Sequence, residues 1–481
     1  MLGISQISNR WLAIIGLVTL PLVGLAVAYE FWYAFLLPPA LLVVWMTLYR
    51  LDWAMWFIVF ATPVSINLTD LTGGAGLSLP TEPMLVLVTF IALIKMALLG
   101  EFDRKIIQHP ISIAIYIYLA WMLFTAITSQ LPLVSLKQLA TRIWFIVPYY
   151  FVLAHLFLKS DRNKLTFLWL FLITLTVAAI YTLVIHSQYG FTKKTSTWVM
   201  FPLFKEHTSY GAVLAMMYPA ALYLTFRKSS WGFNAVAGAM LAILTLATVL
   251  SYTRAAWLSL VGAGAVYLVY LFRWSKTTVW SLAGIAVLIA ALNLSWISSK
   301  FERNTTDSSD DLNEHVASVT NVSTDASNLE RINRWNSAIR MFKDRPVLGH
   351  GPGTYMFLYA PYQKPSEKTI ISTNAGNRGN AHSEYLSPLA ESGVFGLLTF
   401  LGLIITVIVV AVNSYARASS PLLKSLIRVA FLGLITYFLH GFLNNFLDMD
   451  KASAPFWGFF ALLAAISVSI DSSYSVDKQD V

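Results

Sequence analysis

Apolar blocks dominate this chain and decide what it can fold into. Fourteen stretches of a length that spans a bilayer, roughly 16–22 residues, lie near 11–29, 31–48, 52–66, 83–99, 111–127, 143–158, 165–186, 210–226, 234–252, 255–272, 279–296, 394–414, 426–445 and 455–471. Hydrocarbon offers no water to backbone N–H and C=O groups, so such blocks must be helices or closed-barrel strands. They lack the period-two alternation of a barrel. The expected fold class is therefore an all-α polytopic membrane protein with about 12–14 transmembrane helices. The range reflects a short third stretch and the pair Pro38-Pro39 in the second. Only 12% of residues are charged, against roughly 25% in soluble chains. A soluble enzyme, a disordered chain and a nucleic-acid reader are excluded as main readings.

The basic residues orient the helices. With the N-terminus inside, the inner connections hold sixteen Lys and Arg and the short outer ones seven. The other ten lie in one long segment, which the positive-inside rule does not count. Both termini are expected in the cytoplasm, and the net charge of +9 belongs to inner loops rather than to a nucleic-acid surface. No small-residue cleavage site follows residues 11–29, so this stretch reads as a retained span. The chain has no cysteine, which removes disulfides, thiolate metal sites and a Cys nucleophile.

Three regions follow: N-terminal spans over 1–296, an exoplasmic subdomain over 297–393, and the last spans with a short tail over 394–481. The middle region carries 10 basic and 11 acidic residues and opens on a polar run, Thr305 to Ser327. Ser327-Asn328-Leu329-Glu330 then reads as a capping box. It opens a helix with apolar Leu329, Ile332, Trp335, Ile339 and Phe342 at 3–4 spacing. Pro346 ends that helix, Gly349, Gly351 and Gly353 favour a tight turn, and a second short helix is expected from Ser383 towards Gly393.

Few residues can carry chemistry. The spans hold almost no carboxylates, so the acidic relay of an ion-coupled transporter is missing. No P-loop and no zinc-like His pair occurs. Asp448-x-Asp450 could bind a divalent cation, but it reads better as an interfacial turn with Lys451 beside it. Arg254, in the near-zero-length connection Ser251–Ala256, stands against the positive-inside preference. It would pair with a phosphate through its planar fork, or snorkel to lipid headgroups. Arg142, at the outer end of the sixth span, has the same two readings. Arg331 and Arg334 share one face of the loop helix, as donor contacts or as solvated surface charge. His382, at a helix start beside the membrane, can act as a base near neutral pH or simply cap the helix.

The runs Leu329-Glu330-Arg331-Ile332-Asn333-Arg334-Trp335, Asp344-Arg345-Pro346-Val347-Leu348-Gly349-His350-Gly351-Pro352-Gly353 and Asn380-Ala381-His382-Ser383, with Leu386, Leu389, Glu391 and Gly393, resemble the shared motif region of the bacterial O-antigen ligase and polymerase family. The resemblance implies a C-type glycosyltransferase architecture in the bacterial inner membrane, with the site facing the periplasm. The implied activity is metal-independent, inverting transfer of a glycan from undecaprenyl diphosphate. The acceptor would be a sugar hydroxyl on lipid A–core or on a growing glycan; no cofactor and no nucleic acid takes part. The family's loop histidine falls on His382, its interspan arginine on Arg254, and its loop arginine on Arg331 or Arg334, with Arg142 a further candidate for the diphosphate. Ligation to lipid A–core is the first expectation and repeat-unit polymerisation the alternative. A polysaccharide flippase is the different-class rival, disfavoured by the low charge inside the membrane.

Overall fold

A computed structural model describes residues 2–30, 35, 37–68, 77–271, 326–368, 372 and 379–477. The protein is an all-α polytopic membrane protein. Helices α1 (Leu2–Ala28), α2 (Leu37–Tyr49), α3 (Leu51–Ala61) and α4 (Thr81–Ile94) lead into a short α5 (Arg104–Ile107) and then α6 (Pro110–Ile127). Helix α7 (Pro132–Ile146) continues through a π-helical segment, Val147–Val152, into α8 (Leu153–Lys159). Next come α9 (Asp161–Gln188), the single turn α10 (Lys193–Ser196), α11 (His207–Phe226), α12 (Trp231–Leu250) and α13 (Arg254–Leu271). After the undescribed stretch follow α14 (Ala326–Asp344), the short α15 (Tyr355–Leu358), α16 (Leu386–Arg417), α17 (Pro421–His440) and α18 (Asp450–Asp477). The only strands among the described residues pair Ile66 with Leu79 and Asn67 with Ser78, antiparallel, in the α3–α4 connection.

Among the described residues, nine helices are long and apolar enough to cross a membrane, and four shorter apolar helices accompany them. All the expected spans except 279–296 have a helical counterpart; that stretch, and nearly all of the polar run 305–327, lies outside the described residues. Pro38 and Pro39 do not break the second helix. They sit in its first turn, where missing N–H groups cost nothing, and the helix starts at Leu37.

Two boundaries differ from expectation for physical reasons. The sixth span begins at Pro132 rather than near 143. Its first turns carry Lys137, Gln138 and Arg142, so no apolar block marks them. Arg142 consequently lies within the helix, 7% exposed, and not at its outer end. The separate helix expected between Ser383 and Gly393 is instead the start of α16. The helix runs on from Leu386 to Arg417 across a kink at Gly393, whose φ of 69° and ψ of −167° are non-helical. Glycine takes that backbone without a Cβ clash.

Helix α18 is the axis of the bundle, buried continuously from Lys451 to Val468. It packs against α8, the π-helical segment, α17 and α16. Ala452, Ala454, Ala461, Ala464 and Ala465 on it have almost no exposed surface. Small side chains let neighbouring backbones come close where lipid supplies no hydrophobic drive for helix association.

Candidate functional site

Helix α14 brings two arginines to the end of the bundle where α17 stops. Arg334 has a fixed partner on its own helix. Its Nε lies 2.6 Å from Glu330 Oε1, one turn back, and both side chains are nearly buried. Its guanidinium sits 4.1 Å from the centre of the Tyr359 ring, and its backbone carbonyl accepts from the Tyr355 hydroxyl at 2.8 Å. Glu330 also accepts from Asn333 and from the Ser372 hydroxyl. Burial pushes its carboxyl up, but the Ser372 and Arg334 hydrogen bonds prevail and hold it below the usual range. Glu330 is therefore an ion-pair partner of Arg334.

Arg331 points the other way, donating from Nε to the Leu443 carbonyl at 3.3 Å. His382 faces the same region. It is not a helix-start residue: it occupies a left-handed bend, φ 48°, four residues ahead of α16. The bend is held by Asn380 Oδ1, which accepts from the His382 N–H at 3.0 Å. Trp335 Nε1 donates to the His382 carbonyl at 3.2 Å, tying the turn to α14. Asn444 hydrogen-bonds the His382 side chain, and its own Nδ2 lies 3.1 Å from His440 Nε2. Burial first, then the charges of Arg331 and Arg334, lower the imidazole to about 4. His382 is thus neutral at pH 7 and lies in a doubly cationic field.

The turn before α13 joins this group through α11. Thr253 Oγ1 donates to the His207 carbonyl at 2.8 Å, and the Tyr252 hydroxyl donates to the Phe191 carbonyl at 2.9 Å. Tyr252 itself has φ 51°. Arg254, half-buried, begins α13 directly after this clasp. Glu206, the residue before His207, is pushed up by burial and drawn back by Lys205 and Arg331. The α11 start therefore borders both Thr253 and Arg331.

Arg142 belongs elsewhere. Its Nη1 donates to the Leu447 carbonyl at 3.0 Å and its Nη2 to Asp448 Oδ1 at 2.8 Å. It lines a cavity of about 950 Å³ whose wall contains none of Arg254, Arg331, Arg334 and His382. Asp448 thereby pairs with Arg142, not with Lys451. Asp450 accepts from the Ser65 and Thr81 hydroxyls at 2.7 Å each, while Lys451 Nζ donates to the Ser65 carbonyl at 2.8 Å. Among the described residues no three His, Cys, Asp or Glu converge on a common point that could hold a metal ion.

His350, in the glycine-rich turn after α14, has both ring nitrogens engaged. Its Nδ1 lies 2.9 Å from Gln130 Oε1 and its Nε2 3.1 Å from the Met341 carbonyl. Around it the glycine turn clasps the kink of α16. His350 N–H donates to the Ala390 carbonyl, Gly351 N–H to Glu391 O at 2.7 Å and Val394 N–H to Pro346 O at 2.8 Å.

Sequence reasoning passed over Glu384 and the Glu330–Arg334 pair. The latter had a visible signal, the i,i+4 spacing. Glu384 lies two residues beyond His382, but its environment is made by residues near 437 and 446, which no local pattern shows.

The fold and this cluster define a multi-pass membrane protein that gathers arginines and a neutral histidine at one end of its bundle. Residues 239–401 match the family model described as O-antigen ligase, a range that contains Arg254, Arg331, Arg334 and His382 and excludes Arg142. Over that region, about a third of its length, the chain is similar to the O-antigen ligase family. That similarity supports a glycosyltransferase-like role in ligating or polymerising a lipid-linked glycan. No curated protein matches the chain.

Proposed function

We propose that this protein transfers a glycan from undecaprenyl diphosphate to a sugar hydroxyl of lipid A–core, at the periplasmic face of the bacterial inner membrane. Both termini lie in the cytoplasm, and the regions 1–296, 297–393 and 394–481 serve as membrane base, catalytic loop and closing spans. The observation that carries the reading is the neutral His382 held beside Arg331 and Arg334. The acceptor hydroxyl attacks the anomeric carbon and gives its proton to His382. The anomeric C–O bond to the diphosphate breaks with inversion, and its electron pair leaves with undecaprenyl diphosphate. Arg254 and Arg331 clamp that diphosphate and offset the growing charge, the work a metal would otherwise do. Arg334 keeps the loop helix in place through Glu330. A bound diphosphate also cancels part of the arginine field at His382, so the base strengthens when donor arrives.

The same site suits a repeat-unit polymerase, in which the acceptor is a growing glycan. The discriminating experiment is the envelope glycolipid profile of a deletion strain. A ligase mutant accumulates long lipid-linked polymer over bare core, whereas a polymerase mutant still attaches single repeats. In purified protein, Arg254→Ala should weaken donor-lipid binding and turnover together, and Arg254→Lys should restore them only in part, because a point charge lacks the bidentate fork. Normal donor binding by Arg254→Ala would reduce that residue to a headgroup anchor.

A further inference from the structure

The 950 Å³ cavity beside the cationic cluster has no role in the reading above. It lies at the upper end of small-molecule site volumes, about 300–1,000 Å³. Asn380, Ala381 and Glu384, which flank His382 along the chain, form part of its wall. The cavity thus ends at the turn that carries the proposed base.

Two carboxylates of the wall are built alike. Glu384 Oε1 receives three donors: the Tyr437 hydroxyl at 2.6 Å, Phe446 N–H at 2.7 Å and Leu447 N–H at 3.0 Å. Its Oε2 receives none among the described residues, and the residue is 7% exposed. Asp448 Oδ1 takes both Gln138 Nε2 at 2.6 Å and Arg142 Nη2 at 2.8 Å, which leaves Oδ2 open on a side chain 45% exposed. Each carboxylate is immobilised through one oxygen and offers the other. Trp121, locked by its Nε1 bond to the Ser392 carbonyl at 2.9 Å, and Tyr118 add flat apolar faces to the same wall.

The occupant must donate hydrogen bonds to fixed carboxylates and lay an apolar face on aromatic rings. A lipid tail fails the first requirement. A phosphate meets six acidic side chains against four basic ones on this wall, and Arg142 is already committed to Asp448. A cation lacks convergent ligands among the described residues. A sugar ring, with equatorial hydroxyls around an apolar face, meets both.

We infer that this cavity binds uncharged sugar residues of the glycan, with Glu384 and Asp448 accepting from hydroxyls and Arg142 fixing Asp448 rather than touching diphosphate. The inference rests on the glycan-transfer reading and deepens it. The sugars come from the acceptor oligosaccharide or from the donor glycan; both share this chemistry.

The chain has no cysteine, so one introduced thiol reports on the cavity alone. Met356→Cys and, in a second protein, Phe357→Cys place it on the wall. Lys343→Cys, on an exposed position of α14, is the control. The full-length protein in nanodiscs is treated with a charged methanethiosulfonate reagent. The additions are core oligosaccharide freed of lipid A, undecaprenyl-diphosphate glycan, or bare undecaprenyl diphosphate. Saccharide should slow modification of either wall thiol about tenfold at saturation and leave the control thiol unchanged. Asp448→Asn should raise the saccharide concentration needed by about tenfold, as loss of a charge-assisted hydrogen bond does. Protection by free oligosaccharide assigns the acceptor, and protection by lipid-linked glycan alone assigns the donor; either supports the site. Protection by bare undecaprenyl diphosphate, or none by any saccharide in protein that still transfers glycan, overturns it and leaves the transferase reading intact. Saccharide protection in protein that transfers nothing sinks that reading instead.

Discussion

His382→Asn separates basicity from backbone geometry, because asparagine tolerates the left-handed bend that His382 adopts and cannot titrate. The imidazole is lowered from 6.5 to about 4 by burial and by the two arginines. Between those values an unfolded chain binds a proton that the folded protein refuses, so the wild type loses stability as pH falls through this window. Above pH 6.5 the group is neutral in both states and contributes nothing. At pH 4.5 the accumulated loss is about 2–3 kcal/mol, from roughly 1.4 kcal/mol for each pH unit of difference. Denaturant titrations in detergent at about pH 7.5, above this window, and about 4.5, near its lower end, should show the wild type losing that much more than His382→Asn. At the higher pH the variant should transfer glycan roughly 10²–10⁴-fold more slowly, the usual contribution of a general base. In the wild type the acid limb of kcat/KM due to His382 should fall near 4, since it reports the free enzyme. The limb of kcat should lie higher, because bound diphosphate weakens the arginine field. Equal pH sensitivity of stability in the two proteins, or a kcat/KM limb at 6.5, would refute the argument by showing a solvated imidazole outside that field.

Three further outcomes can be measured. Arg334→Met strands a buried Glu330 carboxylate and should destabilise the protein by about 3–5 kcal/mol; adding Glu330→Gln should recover much of the loss in the same unfolding assay. Gly351→Ala drives a Cβ into the Ser129 side chain at φ 115°, where backbone strain alone costs about 1–3 kcal/mol; a lowered melting temperature checks it, and an unchanged one contradicts the clasp. Purified protein in EDTA should retain glycan transfer, and activity restored only by magnesium or manganese would move Asp448 and Asp450 to the centre of the chemistry.

Much of the fold was legible because a bilayer leaves so few choices. Apolar blocks longer than a strand announced helices, and the 3–4 periodicity from Leu329 announced α14. The missed boundaries share a cause: where an end of a span borders a polar site, its residues stop looking apolar. Lys137, Gln138 and Arg142 hid the start of α7 in this way, and Glu391 hid the continuity of α16. Candidate site residues in the matched motifs could be named singly, but their grouping could not. Nothing in the sequence separates Arg142 from Arg331, because that depends on Asp448 reaching one and Leu443 the other. The cavity was invisible for the same reason, since Glu384 acquires its three donors from residues more than fifty positions away.

The joint at Gly393 carries one more implication. A kink leaves some carbonyls of a helix without their internal donors, and here Ala390 and Glu391 offer theirs to the N–H groups of His350 and Gly351. The angle between the stub that follows His382 and the rod that crosses the bilayer is therefore set by main-chain atoms of a distant loop. Side chains along that loop can drift while the glycines stay, and the joint keeps its set like a welded bracket. A swing of α14 and its following turn on α16 is therefore opposed by backbone hydrogen bonds on both sides of the joint.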